Sequence, residues 1–198
     1  MATTYTLRDE WLAGAVRELR SDFERDGYSL SRWDTIRVSV GFPSRGAAPG
    51  LSQTIGQCWD RVDDDGIPQL FMSPVLENPV RVLDVLVHEL AHVVVGCRHG
   101  HKAPFKRAAL ALGLAGKPTA THAGPVLVKR LQSLSAELGA YPHAALDLKK
   151  RKKQTTRLIK VECRDDAYIA RVSRTTIETH GCPICPVCQE SMVIVERV

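Results

Sequence analysis

Residues 78–96 read NPVRVLDVLVHELAHVVVG, and this stretch decides the fold. Asn78 offers a side-chain oxygen to the first free N–H groups of a helix, and Pro79 fits the first helical position. Gly96 is a natural stop, because it takes a left-handed backbone at little cost. Between them Val80, Leu83, Val87, Leu90 and Val94 recur at steps of three and four, the period of a helix that buries one face. His88-Glu89-Leu90-Ala91-His92 lies inside that helix. Two histidines four apart project from the same side, so both imidazoles can reach one metal ion. Glu89 sits beside the first, placed to take a proton from a metal-bound water. A bare five-residue match arises by chance, but Val85, Leu86 and Val87 precede this one and Val93, Val94 and Val95 follow it. Such flanks bury the helix, and two histidines with a glutamate in a buried helix call for a reason. A zinc ion is that reason.

Catalytic zinc takes three protein ligands and leaves one position for water. No aspartate or glutamate occurs between Val93 and Ala136, and Glu137 is the first carboxylate available. A histidine is therefore favoured as third ligand, and His99 and His101 are the candidates.

HELAH, a short turn, His101-x-x-x-Phe105 and an alanine-rich segment ending in Leu112-Gly113-Leu114 together resemble the SprT-like (Spartan-type) metalloprotease family. Residues 37–43 (RVSVGFP), 55–59 (IGQCW) and 141–144 (YPHA) also resemble short SprT-like proteins of bacterial and phage type. The resemblance runs over most of the chain. It implies that the third zinc ligand is the histidine four residues before the aromatic, His101 and not His99. Eight residues separate His92 from His101, so the turn is looser than the compact turn of metzincins.

The 198 residues suffice for one cored domain and a small appendage, expected at 1–148 and 149–198. A hydrophobic share of 44% with 25% charged residues is that of a soluble globular protein. MATTYTLRDEW contains no basic-then-apolar leader, and no apolar run is long enough to span a bilayer, so a cytoplasmic location is expected. Three of six cysteines crowd into Cys182-Pro-Ile-Cys185-Pro-Val-Cys188, which reads as metal binding in a reducing compartment. From Lys149 onward eleven Lys/Arg face six Asp/Glu, whereas the first 148 residues hold sixteen of each. The whole excess of +5 therefore belongs to the tail.

Hydrophobic periodicity predicts a first helix over 6–26, with Leu12, Ala15, Val16, Leu19 and Phe23 inward and Thr6 with Asp9 as a capping pair. Strands follow at 35–42, 54–59 and 69–72, with Asp63-Asp64-Asp65-Gly66 as a solvated turn. After the metal helix come a helix at 102–112, a loop at 113–124 and a helix at 125–139 with Val128, Leu131, Leu134 and Leu138 inward. This order predicts an α+β, zincin-like metalloprotease core. A substrate chain would pair as an added strand at an edge ending near Met72 or Ser73. Arg98, Lys102, Lys106, Arg107, Lys117, Lys129 and Arg130 stand without acids to balance them, a positive field beside the metal helix.

In the tail, residues 156–163 and 167–173 alternate like hairpin arms, and 192–195 reads as a third strand. With Cys163 at one end and Cys185 and Cys188 at the other, the tail resembles the zinc ribbon that many SprT-like proteins carry. Where the family has Cys-x-x-Cys, this chain has Cys163-Arg164-Asp165-Asp166, so Cys182, His180 or Asp166 must be the fourth ligand. Cys182 is the expected one, because thiolate is the stronger zinc ligand. Lys150, Arg151, Lys152, Arg157, Lys160, Arg171 and Arg174, with Tyr168 among them, suit a nucleic-acid backbone and one stacking ring.

The functional expectation is a zinc endopeptidase. His88, His92 and His101 would hold Zn²⁺ and Glu89 would act as general base, with Tyr141, His143, His122 or His99 as a second oxyanion donor. A second, structural zinc is expected in the tail. The resemblance implies protein substrates on DNA, including DNA–protein crosslinks. The competing readings are a non-enzymatic zinc-containing nucleic-acid-binding protein and a peptidase that acts on soluble proteins without DNA.

Overall fold

The computed structural model describes residues 5–30, 33–44, 54–60, 65–150 and 158–195. They fall into two units, Met1–Lys149 and Lys150–Val198. The class is mixed α+β.

The first unit opens with α1 (Arg8–Arg25), whose Trp11, Leu12, Ala15, Leu19 and Phe23 are buried as the periodicity predicts. The Thr6–Asp9 capping pair does not form. Leu7 is the N-cap and makes no side-chain cap bond, while Asp9 Oδ1 accepts from the Val40 N–H at 2.8 Å. The carboxylate serves tertiary structure, tying α1 to the end of β1 (Arg37–Val40).

β2 (Gly56–Trp59) and β3 (Gln69–Met72) complete a sheet of order β1-β3-β2. β3 runs parallel to β1 and antiparallel to β2. The expected edge at Met72 is thus the centre of the sheet, and among the described residues β2 is the edge on the metal-helix side. The reason is burial: Leu70 and Met72 are fully enclosed, whereas Gly56, Gln57 and Cys58 are half-buried and Trp59 is exposed. Of the acidic turn, Asp63 and Asp64 lie outside the described residues, and Asp65 approaches Arg37 at 3.5 Å.

α2 (Pro79–Val95) starts as its sequence dictates: Asn78 Oδ1 accepts from the Arg81 N–H at 3.0 Å. It ends at Gly96, whose φ of 86° is the left-handed backbone expected there. Leu83, Leu86 and Leu90 have no solvent exposure, each worth roughly 1.5–3 kcal/mol of apolar burial. A 3-10 turn (Cys97–His99) leads to α3 (Ala103–Ala111).

The expected loop at 113–124 is instead a hairpin, β4 (Leu114–Lys117) and β5 (Ala120–Ala123), with Lys117 paired to Ala120 around Pro118 and Thr119. Its small residues carry little strand propensity, so pairing and not composition makes the strands. α4 (Pro125–Leu138) buries Leu127, Leu131, Leu134 and Leu138, with Leu127 taking the inward place expected of Val128. Arg8, buried at the start of α1, donates to the carbonyls of Pro142 (2.9 Å), Pro74 (3.1 Å) and Ala144 (2.5 Å). The YPHA segment is therefore held in place by a core arginine.

The second unit is a sheet of order β7-β6-β8, from β6 (Ile159–Glu162), β7 (Ile169–Val172) and β8 (Val193–Ile194). A short helix, α5 (Arg174–His180), capped by Ser173, follows β7. Among the described residues its buried core is Val161, Cys163, Cys185 and Met192. No helix among the described residues is long and apolar enough to cross a membrane.

Candidate metal centre

Helical spacing puts His88 and His92 on one face of α2, and the turn after Gly96 brings His101 across to meet them. His101 Nε2 lies 3.3 Å from His92 Nε2 and 3.3 Å from His88 Nε2. Two nitrogens each about 2.0–2.1 Å from a tetrahedral zinc stand about 3.3–3.4 Å apart, and both edges that meet at His101 have that length, with all three ligand atoms within 4.8 Å of one another. His99 is not part of it; its Nε2 accepts from Arg98 Nε at 3.4 Å.

The three rings share a floor. Phe105, fully buried at the start of α3, stacks on His92 at 4.2 Å and lies 4.8 Å from His88 and 5.0 Å from His101. This explains the His101-x-x-x-Phe105 spacing: one helical turn places the ring under the imidazole that precedes it. Burial, followed by the neighbouring imidazoles, pushes His92 down to about 3. Burial, then His101 and Arg81, take His88 down to about 4. A neutral imidazole keeps a lone pair on one ring nitrogen, the form that binds a metal.

The hairpin that replaced the expected loop supplies a fourth contributor. Thr121 Oγ1 on β5 lies 2.7 Å from His88 Nδ1. With Nε2 turned to the shared point, Nδ1 carries the proton and donates to the hydroxyl, fixing the ring's tautomer and orientation. The alternation of small and polar residues at 119–123 was the available signal for it.

Glu89 is 6% exposed and points away from the imidazoles' floor toward β2. A Cβ at Gly56 would meet Glu89 Oε1 at 2.5 Å and Val85 at 2.6 Å, so only glycine lets the edge strand lie against the carboxylate. Burial pushes the metal-free Glu89 carboxyl up to about 8. A cation beside it draws that value back down.

These groups line a cleft of about 430 Å³ between β2, α2 and the β4–β5 hairpin, which also contains Arg81, Asp84, Cys58 and Cys97. Asp84 is ion-paired with Arg81. Arg81 engages its Oδ2, which leaves Glu89 as the cleft carboxylate without a cationic partner among the described residues. None of Tyr141, His143, His122 and His99 lines the cleft. Tyr141 packs edge-on against Trp11 at 5.0 Å, and its hydroxyl is pushed up to about 12 by burial.

In the second unit, Cys163, Asp166, Cys185 and Cys188 converge, each offering a ligand atom within 4.8 Å of the others. Asp166 replaces the expected Cys182, which packs half-buried against the small core instead. The physical reason is local: Asp166 sits at the tip of the β6–β7 turn, three residues from Cys163, and its Oδ2 meets Cys185 Sγ at 3.6 Å. An N–H donated by Asp165 at 3.4 Å draws the Cys163 thiol below its ordinary range, toward the thiolate a metal binds.

Of the basic residues, Lys150, Arg171 and Arg174 are exposed, and Lys160 pairs with Glu162 at 2.8 Å. Lys160 and Arg171 are direct cross-strand neighbours. Arg151, Lys152 and Arg157 lie outside the described residues. In the first unit Arg98, Lys102, Lys106, Arg107, Lys117 and Lys129 are exposed, while Arg130 is held by Asp22 at 2.9 Å.

No protein-family model, no curated protein and no solved structure matches the chain.

Proposed function

We propose that the chain is a zinc-dependent endopeptidase of the SprT-like kind, with its second unit a zinc-holding module that recruits nucleic acid. The observation that carries the reading is one constellation. His101 Nε2 stands 3.3 Å from both His88 Nε2 and His92 Nε2, with the buried Glu89 carboxylate between the imidazoles and β2, an edge strand among the described residues. A purely structural zinc site is closed by four protein ligands. Here, among the described residues, three converge, in an open cleft.

His88, His92 and His101 would hold the zinc, which supplies Lewis acidity to polarise a peptide carbonyl and to acidify water. The chain's own groups do the rest. β2 offers its outer edge to an extended peptide, which pairs as an added strand and passes in front of Glu89. Glu89 Oε1 takes the proton of the attacking water and delivers it to the leaving amine. Thr121 keeps the His88 ring turned toward the shared point, and Phe105 keeps all three rings from rotating away.

Exposed Lys and Arg on the first unit, and Lys150, Arg171 and Arg174 on the second, support a polyanion partner, so substrates are assigned to proteins on or crosslinked to DNA. Glu89→Gln is the deciding experiment. An enzyme keeps its zinc and loses cleavage by about 10²–10⁴-fold or more. A non-enzymatic binding protein shows no cleavage to lose in the wild type. If single-stranded DNA leaves both cleavage and chromatographic mobility unchanged at low salt, the nucleic-acid part is wrong.

A further inference from the structure

Cys58 and Cys97 belong to neither ligand cluster, and the proposed chemistry uses neither. Cys58 lies on β2, and Cys97 opens the 3-10 turn between α2 and His101. They are 39 positions apart in the chain, yet their Sγ atoms stand 2.6 Å from each other. That is within about 0.6 Å of a covalent S–S bond. Both are half-buried and line the cleft, where small solutes have access. Among the described residues no further histidine, cysteine or carboxylate joins them into a ligand set, so a metal is a poor fit.

We propose that Cys58 and Cys97 are a redox modification site, a reversible disulfide that staples the edge strand of the cleft to the turn carrying His101. The oxidant is a low-molecular-weight disulfide. One cysteine attacks it as thiolate, displacing a small thiol and forming a mixed disulfide. The second cysteine attacks the protein sulfur of that intermediate and displaces the other small thiol. Two protein S–H bonds are lost and one S–S bond is made, and the two electrons and two protons leave on two small thiols. Contact with Cys97 and then burial push the Cys58 thiol up. The bond would fix the distance between β2, against which Glu89 lies, and the chain entering the third ligand.

The test uses the full zinc-loaded chain and oxidised glutathione, followed by digestion without reduction and peptide mapping. The expected product is a peptide pair joined through Cys58 and Cys97. It should bring a rise in Tm of about 5–10 °C and slower amide exchange at 56–59 and 97–101. Dithiothreitol should reverse all three, and Cys58→Ser and Cys97→Ser should show none. Recovery of both residues as free thiols, as separate glutathione adducts or bonded to tail cysteines overturns the proposal. A mapped bond without slower exchange overturns the restraint on the cleft.

Discussion

The two ligand clusters are built in opposite ways. The histidine cluster rides on a helix whose Leu83, Leu86 and Leu90 are buried in a core extending from Trp11 to Tyr141. There the apolar core places the ligands before any ion arrives. The cysteine–aspartate cluster has beneath it a core of Val161, Met192 and two of its own ligands. So small a core does not offset the entropy of ordering some forty residues, and on the proposed reading a bound ion supplies the difference. In one unit the fold makes the site; in the other the site makes the fold.

The largest effect expected from this contrast is on chelation. Structural zinc contributes roughly 10–16 kcal/mol in small zinc domains. Stripping metal from the whole chain should therefore unfold residues 158–195 and leave the first unit standing. Trp11, Trp33 and Trp59 all lie in the first unit, so their fluorescence reports on it alone, while amide exchange of tail peptides reports on the second. Simultaneous loss of both signals, or of neither, breaks the contrast.

A smaller effect separates the metal-free states. Folding buries Glu89 with its carboxyl pushed from 4.5 up to about 8, so at pH 7 the metal-free fold takes up a proton that the unfolded chain lacks. A raised folded value means that stability from this group is whole below about pH 4.5 and drains away as pH rises through 8. Glu89→Gln removes that drain. The metal-free variant should exceed metal-free wild type by up to ~3 kcal/mol at pH 7 and match it below pH 4.5, read by urea denaturation at both values. Equal stability at pH 7 would show that the carboxylate is better solvated than its 6% exposure implies.

Smaller still is the contribution of the hairpin. Thr121→Ala should weaken zinc binding at the histidine site by about 10–100-fold, with Thr121→Ser restoring it and the tail zinc unaffected. Competition with a chromophoric chelator measures this. An unchanged affinity would reduce Thr121 to a cleft-lining residue.

How much of this was readable beforehand follows the same division. α2 could be read from end to end because each signal is local: Asn78 caps it, Pro79 begins it, Gly96 stops it, and the valines and leucines repeat at its own period. The place of β3 between β1 and β2 could not be read, since a parallel pair joins residues 32 positions apart, such as Arg37 and Gln69, with no local mark. The hairpin at 114–123 was hidden by its alanines and glycines, which are depleted in strands, although the turn Lys117-Pro118-Thr119-Ala120 marked its centre. Gly56 showed its meaning only beside Glu89. Ligand strength favours Cys182 over Asp166, whereas the β6–β7 turn decides by position.

All of the proposed chemistry requires that the side chains at 88, 92 and 101 share one ion with Glu89 beside it. Anomalous diffraction from crystals of the zinc-loaded protein, collected at the zinc edge, tests it most directly. A peak is expected about 2.0–2.1 Å from all three Nε2 atoms, with the Glu89 carboxylate next to it and not bonded to it. Absence of density there, or a peak held by Glu89 or His99 in place of His101, would contradict it.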